Sequence, residues 1–86
     1  MRKKAEWEAI VEDLKEACAR VGVTLRETSK IRSRGALCTV HGKRVLIVNR
    51  LLDPEEKADL IAGEIRGEDF SQVFLKPLVR ELLERP

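Results

Sequence analysis

Residues 35–67 read GALCTVHGKRVLIVNRLLDPEEKADLIAGEIRG: two apolar runs meet at a glycine turn, and the second leads almost at once into a capped helix. A Gly between apolar runs is a β-hairpin signal. In the first run Ala36, Cys38 and Val40 share one strand face, with Leu37, Thr39 and His41 on the other. In the second, Val45 to Val48 is apolar without alternation, which predicts a central strand covered on both faces. Asp53-Pro54-Glu55-Glu56 is the sharpest local signal in the chain. Asp53 is a capping residue, Pro54 suits the first helical position, and Glu56 at the third completes an Asp form of the capping box. The two glutamates in the first turn also favour the helix dipole. The helix is predicted to run to about Arg66, burying Ala58, Ile61, Ala62 and Ile65.

The flanks complete the pattern. Trp7, Ile10, Val11, Leu14, Ala17, Cys18 and Val21 recur at three- and four-residue steps, the stripe of an amphipathic helix from about Ala5 to Val21, with Gly22 as its left-handed terminator. Val23, Leu25 and Glu27 alternate as a short half-buried strand, and residues 28–34 form a basic connection. Residues 68–76 read as an extended crossing segment. Pro77 opens a last helix with Leu78, Val79, Leu82 and Leu83 inward. The expected class is therefore α+β, ordered α-β-β-β-α-α. Its three-stranded sheet should be mainly antiparallel, with the helices on one face. With 86 residues the chain holds one domain, and with only Trp7, Phe70 and Phe74 as aromatics its core must be aliphatic.

Two cysteines do not make a secreted disulfide scaffold, no apolar h-region follows the basic start, and no apolar run approaches the ~20 residues of a membrane span. A reducing, cytoplasmic setting and no membrane contact are expected. One Asn, one Gln and one Met, against many Arg and Glu, are the bias of thermophile proteins.

A zinc-peptidase helix reads A-H-E-x-x-H, where two His four apart reach one metal and the Glu between them acts as base. Here the corresponding residues are Ala62-Gly63-Glu64-Ile65-Arg66-Gly67. Together with Gly42, Ile47, Asn49, Leu52 and the helix start at Asp53, this outline resembles the core of the ImmA/IrrE-like metallopeptidases, over about two thirds of the chain. The resemblance implies a zincin-like fold from which the metal site has been lost, because both ligand positions are glycine. A shared topology without common ancestry is the other reading of the same outline. Either way no zinc, no cofactor and no catalytic residue is expected, and Glu64 has no metal-bound water to deprotonate. Gly63 and Gly67, four apart, would leave a shallow groove, and residues 70–75 are expected to lie across it.

Cys38 and His41, three apart on a strand, point to opposite faces and make neither a metal site nor a nucleophile pair. Cys18 belongs to the buried stripe. Charge is uneven: residues 26–50 carry Arg26, Lys30, Arg32, Arg34, Lys43, Arg44 and Arg50 against Glu27 alone, while residues 51–86 carry nine acidic and five basic side chains. The seven cations are candidate polyanion or nucleic-acid contacts. No aromatic residue interleaves them for base stacking, so edge protection is the competing reading. A basic hairpin and an acidic C-terminal third also suit self-association. The function expected from sequence is a non-catalytic interaction or scaffolding module, with polyanion binding through the basic hairpin and a hydrolase-like enzyme as the alternatives.

Overall fold

Helix α1 (Lys4–Arg20) stops where Val21 leaves helical geometry and Gly22 follows at φ 78°. That conformation costs a residue with a Cβ but not glycine. The computed structural model describes residues 1–85. After α1 come β1 (Val23–Thr28), β2 (Gly35–Val40), β3 (Lys43–Asn49), α2 (Pro54–Ile65) and α3 (Pro77–Glu84). This is the expected α+β order.

The sheet is mixed, in the order β1-β3-β2. β2 and β3 form the antiparallel hairpin, with Val40 opposite Lys43, so His41 and Gly42 are its two-residue loop. Both adopt positive φ, 51° and 77°, the primed turn whose twist matches the strands it joins. β1 pairs with β3 in parallel. A parallel pair needs a crossover of a dozen or more residues. Residues 29–42 supply it, with β2 as part of the crossover.

Registers fix which side chains share a face. Val23, Leu25 and Glu27 of β1 line up with Arg44, Leu46 and Val48 of β3, and Leu37 of β2 lies opposite Leu46. This inner face meets α1 and α2. Leu14, Leu46, Val48, Ile61 and Ile65 are its fully buried centre, closed at one end by Val79, Leu82 and Leu83 of α3. Each such aliphatic side chain contributes about 1.5–3 kcal/mol by leaving water. The Asp53 capping box forms as expected: Glu56 N–H donates to Asp53 Oδ1 at 2.9 Å, and Asp53 N–H to Glu56 Oε1 at 3.2 Å.

The expectation that β3 is covered on both faces is corrected. β3 is central, but every helix contact to the sheet is made by α1 or α2, and both lie on the inner face. Among the described residues no helix lies on the outer face. β3 turns Lys43, Val45 and Ile47 to it, β2 adds Ala36, Cys38 and Val40, and β1 adds Thr24, Arg26 and Thr28. Val45 is buried yet stands outside the main core cluster. An unbroken apolar run therefore does not require a second helical layer here.

Candidate functional site: the α2 helix, the basic residues and the open sheet face

Glu64, next to Gly63 on α2, is half-buried. Its Oε1 accepts the backbone N–H of Leu37 at 2.8 Å. β2 is an edge strand, and Leu37 pairs across the sheet at a position whose N–H points away from β3. The carboxylate thus covers one outward donor of an exposed edge, which also deters pairing with another chain.

Gly63 lies on the exposed side of α2, and a Cβ built on it or on Gly67 meets nothing within 4 Å. The expected docking of residues 70–75 across these glycines does not occur. That segment instead lies beside α1 and α3: Val73, Phe74, Leu75 and Lys76 form a hollow with Asp13, Ala17 and Val79, and Lys76 Nζ reaches Asp13 Oδ1 at 3.3 Å. The reason is apolar demand. Phe70 and Leu75 pack on the core cluster near α3, whereas two glycines offer no side-chain surface to cover. Gly67 also lies beyond the helix, which ends at Ile65 with Arg66 as its C-cap.

Among the described residues no group of three His, Cys, Asp or Glu side chains comes together to hold a metal. Cys38 is on the outer sheet face, its Sγ 3.5 Å from Val45 O, while His41 sits exposed in the turn. Cys18 is buried, and burial pushes its thiol up to about 11, so it behaves as a small apolar residue.

The seven basic residues divide into two groups. Arg34 pairs with Asp59 at 3.2 Å, Arg44 pairs with Glu68, and Arg50 donates to Glu27 O at 3.2 Å. Arg34 ties the crossover loop to α2, Arg44 ties β3 to the turn that follows α2, and Arg50 ties the loop after β3 to β1. Arg26, Lys30, Arg32 and Lys43 are exposed and, among the described residues, have no carboxylate partner. Arg26 and Lys43 are on the outer face. Lys30 and Arg32 belong to the loop that crosses the end of β3.

That loop is pegged by Asn49. Its Nδ2 donates to Ser33 O at 3.0 Å and Ile31 O at 3.4 Å, while its Oδ1 accepts Leu51 N–H at 2.9 Å. The backbone N–H groups of Asn49 and Arg50 donate to Arg34 O and Thr28 O. One side chain therefore holds both the crossover and the approach to α2.

On the opposite side Glu27 reaches Lys57 at 2.9 Å and Lys15 at 3.5 Å, joining β1 to both large helices. The Lys57 ammonium, helped by Lys15, holds the Glu27 carboxyl below its ordinary value although partial burial opposes this.

Sequence periodicity did not reveal the outer face. Its clue was the shared strand face of Ala36, Cys38 and Val40, but only the β1-β3-β2 order brings Arg26 alongside Ile47. No family model matches this chain, and no curated protein or solved structure matches it either.

Proposed function

We propose that this chain is a non-catalytic module that binds another protein through the outer face of its sheet. The observation that carries this reading is the apolar strip of exposed Ala36, Cys38 and Val40 beside half-buried Ile47, seated on the buried Val45, on a face that has no helix among the described residues. Contiguous apolar surface rimmed by polar residues marks interaction sites. Glu64 supports the non-catalytic part, because its carboxylate holds the β2 edge. The ImmA/IrrE-like resemblance then describes an outline without its metal chemistry. Free thiols at Cys18 and Cys38 fit a reducing, cytoplasmic setting.

Polyanion binding is the second reading, favoured by the four cations without carboxylate partners. Phosphates gain nothing from the aliphatic strip between those cations, and no aromatic side chain lies there to stack on bases. Elution from heparin below ~0.15 M salt removes this reading.

The test is photo-crosslinking from benzophenone maleimide on Cys38, compared with the same label on a Cys38→Ser, Glu84→Cys chain, in an extract of the source cells. The expected result is a discrete protein adduct from Cys38 alone, competed by unlabelled chain and lost on Ile47→Asp. Identical adducts from both positions contradict the proposal.

A further inference from the structure

We infer that the segment received by the outer sheet face is an acidic amphipathic helix of a partner protein. The inference rests on the protein-binding reading above and specifies its ligand. Charge is the first argument. Arg26 and Lys43 stand on the face itself, Lys30 and Arg32 stand at its loop end, and no acidic residue occupies any outward strand position. A ligand that fits must supply carboxylates at the rim and apolar contact along Ala36, Cys38, Val40 and Ile47.

Backbone chemistry is the second argument. A helix satisfies its own N–H and C=O groups and can lie on a sheet face, whereas an extended segment laid there leaves its backbone unpaired. An added strand would go to an edge instead, and on β2 the Leu37 N–H is already taken by Glu64.

Size is the third. Three strands ~4.8 Å apart and six or so residues long present a face of about 14 by 20 Å. That accommodates one helix of 10–12 Å diameter and three to four turns. It falls well short of the ~800 Å² per partner of a stable subunit interface. Two copies meeting face to face would also oppose Arg26 and Lys43 to like charges.

The probe is a synthetic amphipathic helix of about 14 residues, long enough to span the face, with a Leu stripe flanked by Glu. Two controls accompany it: the same peptide with Lys for Glu, and a shuffled peptide of identical composition without the stripe. Amide NMR shifts of the full chain are followed during titration. The Glu peptide should give saturable shifts at Ala36, Cys38, Val40, Val45 and Ile47, and the controls should give none. Arg26→Glu with Lys43→Glu, its fold checked by circular dichroism, should weaken the Glu peptide by at least about tenfold and admit the Lys peptide. No saturable shift from the Glu peptide overturns the inference. So do equal shifts from the shuffled peptide, or outer-face shifts caused by a heparin oligosaccharide and not by the Glu peptide. A Cys38 photo-adduct without a response to the Glu peptide refutes the acidic helix alone and leaves the protein-binding face standing.

Discussion

Replacing Asn49 by Asp separates two roles that one side chain fills at once. Asp keeps the oxygen that accepts Leu51 N–H but loses the amide that donates to Ser33 O and Ile31 O. It also sets a negative charge against those two carbonyls. Removing all three bonds with Asn49→Ala costs about 2 kcal/mol, taking partly exposed hydrogen bonds at the lower end of the usual 0.5–1.5 kcal/mol each. For a domain of this size that corresponds to a fall in melting temperature of roughly 8–15 °C. Asn49→Asp should lose at least as much, because the repulsion outweighs the one bond kept. Urea unfolding of the three chains, with amide exchange at Asn49 and Arg50, provides the measurement. The exchange should accelerate in both variants, since those amides hold the crossover through Arg34 O and Thr28 O. If Asn49→Asp stays within about 0.5 kcal/mol of wild type, the side chain only shapes the turn at Leu51 and the crossover is held by something else.

Two glycine substitutions should move stability in opposite directions. Gly63→Ala should stabilise by about 0.5–1 kcal/mol in thermal melts, because the added methyl enters open space on a helix. Gly35→Ala should leave little folded protein, since its Cβ would strike Ile47 O from a backbone at φ 132°. Glu64→Ala should cost about 1–2 kcal/mol and speed exchange of the Leu37 amide, while Glu64→Gln, which keeps an acceptor, should retain most of the protection. Because the folded Glu27 carboxyl lies below its unfolded value of 4.5, its ion-pair stabilisation is complete above that value. It disappears as pH falls through the folded value, and Glu27→Gln should flatten this acid limb of the stability-versus-pH curve.

Local structure was legible wherever one residue type answered one backbone need. Asp53, Pro54 and Glu56 announced α2 because capping chemistry is confined to a single turn, and Gly22 announced the end of α1 for the same reason. The half-buried β1, with Glu27 turned inward, followed from alternation alone. Pairing order was less accessible. A hairpin keeps β2 beside β3 whichever edge β1 chooses, and the parallel choice depends on a crossover held by the Asn49 side chain. Alternation could not assign β3 either, since Val45 and Ile47 look like core residues in sequence and lie on the face without a helix. That positions 63 and 67 carry glycine, which offers no side-chain donor atom, was plain. The present use of Glu64 was not, because its partner is a backbone N–H 27 residues away.

The central claim is that the outer sheet face is open to a partner, and Cys38 reports on it directly. Thiol alkylation of the folded chain, followed residue by residue in a mass spectrometer, should show Cys38 reacting at the rate of an exposed cysteine while Cys18 stays unmodified. Saturating the Glu peptide should slow Cys38 by at least about tenfold, and its Lys counterpart should leave the rate unchanged. Equal protection of Cys38 and Cys18 in the chain alone would mean that the face is already covered, and the account of this protein as a docking module would fail with it.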